Sequence, residues 1–511
     1  MNEPRCSAHE AKSTAAASMK EATQQRILFI SYEFSGPLFS GNGVYSRTVV
    51  RALLQTLPNA EVLALCGSPP RSSVASAGVA SASSSPLFDA PAALSSRLKV
   101  EQLQLRRWGS IDRSADYESF ATPSTAIRTK VRAFNPQVVM FVDWTGGLLV
   151  QKLMQHGDVA SSPRVVFLNF RVFSSNQFNN NKAATSDREV DRDWYAARER
   201  ESVALADIVV ALCPKDAEVL ATLDSRARPI GKSGSSSSPV DFVVLNPPLR
   251  DDIRSIALQP HEVDPANSPS HASSTTRPLL RRWLLCCSRL STEKNVELFL
   301  DTIRALGGRP TLERLGVVPL LLGDGVNSSA GAVYASSLRQ QLEDVSGGLA
   351  QWQSFVGPSQ VHLLAQIFRE TRLNFHPARY EAFGMTVLEA AAFGTPTLLD
   401  GSGGVGVTSR LRPAHGEALT FFPSPDTGAS STPAKKAAVP LAESSSLGYG
   451  AREAAQALLA ALERDNDEVG GAARDWHLRK IGQRARERAL AWDMTSFGQE
   501  LAAAVLGYRP Q

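Results

Sequence analysis

Residues 372–400, with the sequence RLNFHPARYEAFGMTVLEAAAFGTPTLLD, constrain the fold of this chain more than any other stretch. A short apolar run opens the stretch, and a loop leads from it into a helix predicted over residues 386–393. Gly394 ends that helix, and Pro396 two residues later is the expected stop signal. Residues 397–399 then predict a second strand. The order strand, loop, helix, strand is typical of an α/β sheet.

Two carboxylates in this stretch have different settings. Glu381 lies in the loop and Glu389 lies about one turn inside the predicted helix, so both are expected to face the pocket where loop and helix meet. Between them, the backbone amides of Phe383, Gly384 and Met385 lie at a helix N-terminus, which favours a bound phosphate. Two such glutamates alone are more often ordinary surface and helix residues. The full string PARYEAFGMTVLEAAAFGTP is far more specific.

This string resembles the signature of the retaining glycosyltransferases of family 4, which move a sugar from a nucleotide diphosphate. The resemblance implies the GT-B fold, an α/β fold with two Rossmann-like parallel-sheet domains facing an interdomain cleft. It also implies that Glu381 contacts the transferred sugar and that Glu389 binds the ribose hydroxyls of the nucleotide. The resemblance covers roughly residues 26–507 and is strongest over residues 283–400.

A second motif lies about 90 residues upstream, where a predicted strand over residues 283–287 runs into the sequence SRLSTEK. Two fixed cations in that loop, Arg289 and Lys294, can stabilise the negative charge that grows on a departing diphosphate without a metal ion. As isolated charges they would more often be solvated. The pattern R-L-x-x-E-K is the second signature of the family, and the resemblance implies this catalytic role for both residues.

Two further positions in this half of the chain match the family pattern. Gly323 follows a predicted strand and opens the turn Gly-Asp-Gly, and Val356 ends a segment that the resemblance places beside the nucleotide base. The turn is no dinucleotide fingerprint, because the third glycine of that motif is absent. Both residues are therefore predicted to bind the donor.

The first half of the chain also begins as a parallel sheet does. A strand over residues 26–31 leads through a loop with Gly41 and Gly43 into an amphipathic helix. A short G-x-G loop is weak evidence, with a plain tight turn at least as probable on composition alone. In the family, a glycine-rich loop at this place borders the interdomain cleft, which predicts that both glycines lie at the acceptor side.

Polar residues follow two more predicted strands of the first half. Asp143 ends the strand over residues 138–142, and Asn169 and Arg171 follow the strand over residues 165–168. Open α/β sheets bind ligands at the carboxyl ends of their strands, so these side chains are predicted to face the cleft. Many family members have a histidine near Asn169, and this chain has none there. Arg171 indicates either an anionic acceptor or a solvated loop.

The predicted domain limits follow from these strands and from shifts in composition. Residues 1–25 are a flexible extension, 26–250 the N-terminal acceptor domain, 251–277 a linker, 278–490 the C-terminal donor domain, and 491–511 a helix that crosses back to the N-terminal domain.

Composition excludes several other classes. The formal charge of +4, from 54 basic and 50 acidic residues, gives no reason to expect a nucleic-acid partner. Five scattered cysteines indicate free thiols in a reducing compartment. No signal peptide and no apolar run of about 18 residues for a membrane span is visible, so we expect a cytoplasmic protein. No metal site is predicted.

The sequence therefore predicts transfer of a hexosyl group from a UDP- or GDP-linked sugar, as in UDP-glucose or GDP-mannose, to a hydroxyl group with retention. The acceptor is a glycan, a lipid or a small molecule, and the nucleotide sugar is a co-substrate, with no further cofactor. Two alternatives remain open. A sugar-nucleotide epimerase has the same fold, and a catalytically silent subunit would bind the nucleotide sugar without transferring it.

Overall fold

The computed structural model describes twelve segments of the chain. They are residues 25–36, 38, 40–70, 92–159, 162–175, 186–224, 240–259, 281–325, 329–354, 360–423, 447–467 and 476–507. Some predictions fall on residues outside these segments and are untested. They concern Val356, residues 1–24 of the predicted N-terminal extension and residues 260–277 of the predicted linker.

Two parallel sheets form the framework. The strands of the first are β1 Gln25–Ser31, β2 Ala60–Ser68, β3 Leu98–Gln104, β4 Val138–Val142, β5 Arg164–Asn169, β6 Ile208–Ala211 and β7 Asp241–Val244. The strands of the second are β8 Trp283–Cys287, β9 Val318–Leu322, β10 Gln351–Gln353, β11 Thr371–His376, β12 Thr397–Asp400 and β13 Leu419–Phe421.

Strand order is the same in both sheets over the first six positions. The first sheet has the order β3-β2-β1-β4-β5-β6-β7, and the second has β10-β9-β8-β11-β12-β13. In each sheet the first three strands of the chain lie side by side in one direction, and the later strands are added on the other side of the first strand. This is the doubly wound order of Rossmann folds. The direction changes between β1 and β4 in the first sheet and between β8 and β11 in the second.

Helices connect these strands. They are α1 Gly41–Thr56, α2 Ala92–Ser95, α3 Tyr117–Phe120, α4 Thr125–Phe134, α5 Asp143–Gln155, α6 Ser186–Leu205, α7 Pro214–Leu223, α8 Asp251–Leu258, α9 Glu297–Ala305, α10 Arg309–Leu315, α11 Ser329–Ser346, α12 Val361–Glu370, α13 Met385–Ala392, α14 Ala451–Asp467, α15 Trp476–Leu490 and α16 Met494–Leu506. No helix in the described segments is both long enough and apolar enough to cross a membrane.

By its internal contacts the chain divides into two compact units. The first comprises Met1–Phe167, Leu205–Asp207 and Leu501–Gln511, and the second comprises Leu168–Ala204 and Ile208–Glu500. Within the first unit, a guanidinium nitrogen of Arg164 donates to the Val505 carbonyl at 2.8 Å, so the end of α16 packs with the start of β5. The domain limits predicted from the sequence stay a prediction.

The core of the second sheet is built from apolar strands and one face of each covering helix. Phe299 of α9 packs 5.6 Å from the ring of Phe375 in β11, and that ring stacks 6.1 Å from Phe421 of β13. These side chains are at most 2% exposed. Burial of such aromatic area is the main source of stability for a sheet of this kind.

The structure differs from the prediction at three elements. The predicted linker begins with helix α8, whose Ile253 and Ile256 are buried. Strand β3 was not predicted, because its sequence LKVEQLQ mixes apolar and charged residues, as an edge strand with partly exposed faces does. Strand β13 was not predicted because it is only three residues long.

Strand β11 also buries polar side chains, and His376 at its end is 2% exposed. Its Nε2 atom has no hydrogen-bond partner among the described residues. Burial lowers the pKa of His376 to about 4; the Lys294 charge acts in the same direction and Glu381 opposes it. The folded protein therefore holds this imidazole neutral at neutral pH.

We expect His376 to weaken the fold in mild acid. The unfolded chain takes up a proton near the ordinary pKa of 6.5, whereas the folded chain does so only near 4, so stability is full above 6.5 and falls between these values. Between pH 7 and pH 5 the loss is about 2 kcal/mol. Urea denaturation across this range should show a shallower loss for His376→Gln than for the wild type. The same substitution at the exposed His362 should leave the pH dependence unchanged, and parallel curves for all three proteins would contradict the prediction.

Candidate active site

The two sequence motifs meet because β8 and β11 are neighbours in the second sheet. Their registered pairs include Leu285 with Asn374, so the carboxyl ends of both strands lie at the same edge. The chain leaves β8 into a short 3-10 turn, Thr292–Lys294, and leaves β11 into the loop that ends at Glu381. Asn295, in the left-handed conformation with φ of 53°, donates from its side chain to the Pro377 carbonyl at 3.0 Å. The two loops are thus joined directly.

An ion pair between Lys294 and Glu381 lies at the centre of this edge. The Lys294 Nζ donates a hydrogen bond to Glu381 Oε2, and the two side chains are only 15% and 20% exposed. Burial raises the pKa of Glu381, but the charges of Lys294 and Arg171 outweigh it and hold that pKa below its ordinary value. Glu381 is therefore a fixed negative charge at neutral pH.

Further charges surround this pair. Glu293 lies 3.2 Å from a guanidinium nitrogen of Arg289. Burial raises the pKa of Glu293, and the nearby charges of Arg289, Arg171 and Lys294 lower it below its ordinary value. Three cations thus face two carboxylates, which leaves one positive charge in excess among these five side chains. A cluster of this kind attracts an anion.

The structure gives Arg171 contacts that the sequence did not predict. Its charge lowers the pKa of both Glu293 and Glu381, and its predicted role toward an anionic acceptor stays a prediction. Its guanidinium also lies 4.5 Å from the centre of the Phe173 ring. Asn169, which is buried, donates from its side-chain amide to the Arg171 carbonyl at 3.0 Å. Both residues belong to the second compact unit, beside the charge cluster.

The backbone of Glu381 is fixed by a facing loop. Its amide donates to the Gly404 carbonyl at 2.9 Å, and the Gly406 amide donates to the Glu381 carbonyl at 2.9 Å. A Cβ atom at Gly406 would lie 2.0 Å from the Ala382 carbonyl oxygen, so only glycine permits this approach. The loop therefore holds Glu381 by both of its backbone groups.

Glu389, the second predicted glutamate, has a separate partner. It is 4% exposed, and its Oε1 lies 3.5 Å from a guanidinium nitrogen of Arg250, which also pairs with Asp252. Burial raises the pKa of Glu389 above its ordinary value, although the Arg250 charge opposes the shift. The Glu389 carboxylate is thus already paired with the Arg250 guanidinium.

The predicted amide group lies at the start of α13. Gly384 is the N-cap, with φ of 94° and ψ of 58°, a conformation that favours glycine. The side chain of Phe383 is buried, so its backbone is the part available to a ligand. Met385 begins the helix, and the Val387 and Leu388 amides donate to the Gly384 carbonyl at 3.0 and 3.3 Å. Phosphate binding by the amides of Phe383, Gly384 and Met385 stays a prediction.

The backbone packing around residue 323 requires a glycine there. A Cβ atom there would lie 1.9 Å from the Ser288 carbonyl oxygen, so the end of β9 approaches the chain leaving β8 more closely than any other residue allows. The Ser288 amide donates to the Leu322 carbonyl at 3.1 Å just before it. Gly323 thus shapes the backbone next to Arg289, whatever its role toward a donor.

The remaining predicted residues lie in the first compact unit. Gly41 and Gly43 are in the first turn of α1 and not in the loop before it; Ser40 caps that helix. A Cβ atom at Gly43 would lie 2.8 Å from the Glu33 side chain. Asp143 is buried, has φ of 53°, and accepts a hydrogen bond of 2.7 Å from the Asn42 side chain. Within this unit, the start of α1 thus meets the end of β4, and the predicted role of these residues toward an acceptor stays a prediction.

Three residues of the site were given no role by sequence reasoning. Glu293 stands inside the second motif, where its spacing of four from Arg289 was the available signal. No sequence pattern pointed to Arg250 or Tyr380, because their partners lie far away in the chain. Within the described segments, no group of three or more histidine, cysteine or acidic side chains is arranged to hold a metal ion.

Comparison with known proteins finds a family match in the second half of the chain. Residues 281–422 match the family described as glycosyl transferases group 1. Mannosylfructose-phosphate synthase of Agrobacterium fabrum is 30% identical over 140 residues, 26% of this chain and 30% of that protein. D-inositol 3-phosphate glycosyltransferase of Mycobacterium marinum is 26% identical over 226 residues, 42% of this chain and 47% of that protein. The chain thus spans about half, or less, of the length of these relatives.

Solved structures give the fold. Sucrose-phosphate synthase from Thermosynechococcus elongatus superposes with a TM-score of 0.59 at 15% identity, covering 94% of this chain and 97% of that chain. Together with the two doubly wound sheets, this similarity confirms the predicted GT-B fold class. Membership of family 4 in particular stays a prediction. Residues 281–422 thus match the family of glycosyl transferases group 1, in a chain that has the GT-B fold.

Proposed function

We propose that this protein is a retaining, metal-independent glycosyltransferase that moves a hexosyl group from a UDP- or GDP-linked sugar to a hydroxyl group. The observation that supports it best is the buried pairing of Lys294 with Glu381, which unites the two motifs of a glycosyl transferase at one point. Arg171, Arg289 and Glu293 extend this pair into a cluster with one excess positive charge.

The cluster suits the charge changes of glycosyl transfer. When the bond between sugar and diphosphate breaks, negative charge grows on the leaving phosphate and positive charge grows on the sugar. Lys294 and Arg289 stabilise the first and Glu381 stabilises the second, because fixed charges in a partly dry site need no reorganisation. The chain's own cations thus take the part that a metal ion plays in other transferases. The proposal includes retention on the strength of the family resemblance.

Glu389 and Arg250 complete the donor side. In the proposed complex the Glu389 carboxylate accepts hydrogen bonds from the ribose hydroxyls, and the Arg250 charge opposes the rise that burial gives to the pKa of Glu389. The backbone amides at the start of α13 face the phosphates. Gly323 and Val356 are proposed to line the nucleotide as well.

The acceptor is proposed to be a phosphorylated sugar or polyol. The names of both curated relatives contain a phosphorylated carbohydrate, one a mannosylfructose phosphate and the other an inositol phosphate. In the first compact unit Gly41, Gly43 and Asp143 stay proposed acceptor residues. In the second unit Asn169 and Arg171 do, and the Arg171 charge acts on Glu293 and Glu381. No further cofactor enters this proposal.

The direct test begins with calorimetric titration of UDP, GDP and ADP in the presence of a chelator. The sugar nucleotide whose base binds is then incubated with hexose phosphates and inositol phosphates, and NMR of the product gives the anomeric configuration. Binding of one nucleotide followed by transfer with retention is the expected result. Interconversion of two nucleotide sugars without an acceptor, or binding without transfer, would reject the proposal.

We predict that Lys294→Ala lowers kcat by about 100-fold or more, because it removes a cation that acts on the leaving group in the transition state. Arg289→Ala should cost less, since its side chain is 37% exposed and more of its charge is screened by water. The measurement is the initial rate of transfer at saturating donor.

A matched control for this prediction is Lys130→Ala. Lys130 also pairs with a glutamate, Glu101, at 2.7 Å, but its side chain is 56% exposed. Its removal should leave kcat unchanged. Equal rates for Lys294→Ala and Lys130→Ala would contradict the role given to Lys294.

We predict that Glu389→Ala weakens nucleotide binding by about tenfold to 100-fold, because a hydrogen bond to a charged group contributes about 1.5 to 3 kcal/mol. The measurement is the dissociation constant of the free nucleotide by calorimetry. Glu343→Ala, at an exposed position of α11, is the control and should bind as the wild type does. An unchanged constant for Glu389→Ala would refute the assignment of this carboxylate to the ribose.

A further inference from the structure

Tyr380 directly precedes Glu381 and is buried, with 5% of its surface exposed. Its hydroxyl donates to the Asp216 carboxylate, whose two oxygens lie 3.0 and 3.1 Å away. The same hydroxyl accepts a hydrogen bond of 3.0 Å from the Val172 amide. One phenol therefore joins the loop of Glu381 to two other parts of the same compact unit.

Asp216 is a fixed partner for this hydroxyl. It is 1% exposed and lies in the first turn of α7, which begins at Pro214. A carboxylate in the first turn of a helix is stabilised by the positive end of the helix dipole. Burial raises the pKa of Tyr380 well above its ordinary value, so the phenol keeps its proton and donates a hydrogen bond to Asp216.

The Val172 amide lies next to Arg171, whose charge acts on Glu381 and Glu293. This segment is fixed on its other side by Glu199, which is fully buried and accepts from the Phe173 amide at 2.5 Å and from the Ser174 hydroxyl. The Arg171 segment is thus held between a carboxylate on α6 and the phenol of Tyr380. Of these two contacts, the phenol is the one that reaches the loop of Glu381.

A tyrosine is required at this position for a simple reason. Its hydroxyl acts as donor to Asp216 and as acceptor from Val172 at the same time, which phenylalanine cannot do. Phenylalanine would leave a buried carboxylate with one bond fewer and a buried amide without that partner. Displacements of about 1 Å in a catalytic group reduce turnover by about 100-fold.

We infer that Tyr380 and Asp216 form a positioning pair that fixes Glu381 and Arg171 relative to each other. The pair touches no reacting atom. It sets the distance between Glu381 and Arg171, because Tyr380 precedes Glu381 in the chain and its hydroxyl is bonded to the amide of Val172, the residue after Arg171. Asp216 holds that hydroxyl in place. This inference rests on the proposed transferase function and adds two residues to its machinery.

The alternative is that Tyr380 is an ordinary core residue whose loss lowers stability alone. The two roles predict different kinetics. A residue that only stabilises the fold changes the amount of active enzyme at high temperature, whereas a positioning residue changes kcat in a fully folded protein and leaves nucleotide affinity in place.

The experiment compares four variants of the full chain at a temperature where circular dichroism shows each to be folded. Tyr380→Phe is expected to lower kcat by about tenfold to 100-fold, with the KM of the donor and the dissociation constant of the nucleotide within about twofold. Asp216→Ala should lower kcat by no more than Tyr380→Phe, because it leaves the bond from the Val172 amide, and the double variant should be no slower than Tyr380→Phe alone, because both bonds go through the Tyr380 hydroxyl. Asp216→Asn keeps an oxygen acceptor and should restore kcat to within about threefold of the wild type.

A matched control is Thr302→Val, which removes another buried hydroxyl of the same unit. The Thr302 hydroxyl donates to the Leu298 carbonyl at 2.6 Å inside α9. Its loss should lower the melting temperature without changing kcat. If Tyr380→Phe behaves in the same way, or if the two single effects multiply in the double variant, the inference is overturned.

Hydrogen exchange gives a readout that needs no activity. Tyr380→Phe should speed amide exchange in both the peptide around Val172 and the peptide around Glu381, with the remaining peptides unchanged. If either of these two peptides exchanges as slowly in Tyr380→Phe as in the wild type, the inference is overturned even when the wild-type enzyme is active. A wild-type protein that performs no transfer rejects the proposed function instead, and the exchange data then decide separately whether the two segments are joined.

Discussion

The strand order of the second sheet is the constraint on which the rest of the site depends. Because the chain returns past β8 to place β11 beside it, two loops separated by 87 residues leave the sheet at the same edge. Each loop alone is an ordinary connection with a charged residue. Only the parallel pairing of β8 with β11 brings Lys294 to Glu381, so the chemistry of the site follows from topology before it follows from side chains.

Charged side chains that pair at such an edge depend on the backbone that carries them. Glycine and hydrogen bonds hold that backbone here. Gly406 permits a contact that fixes both backbone groups of Glu381, and Asn295 joins the two loops through the Pro377 carbonyl. The Tyr380 hydroxyl accepts from the amide next to Arg171. Neutral groups thus hold the backbone that carries the ion pairs of the cluster.

Sequence reasoning recovered what local patterns encode. The strands β4 and β8 were predicted with their observed limits, because continuous apolar runs of that length are typical of buried parallel strands. Helix α8 was missed because its polar residues and the serine-rich stretch after it resemble a linker, although Ile253 and Ile256 are spaced for a helix face. The partners Arg250 and Asp216 lie 139 and 164 residues from the residues they bind, and no local pattern reports a contact at that separation.

The pairing of Glu389 with Arg250 gives that missed helix a place in the chemistry. Arg250 is the N-cap of α8, and Asp252 in its first turn holds the guanidinium on one side while Glu389 holds it on the other. Burial raises the pKa of Glu389 and the Arg250 charge opposes that rise, which favours the ionised carboxylate that the proposed ribose contact requires. The start of α8, in a segment that composition marks as a connection, therefore supplies a charged partner to the proposed donor site.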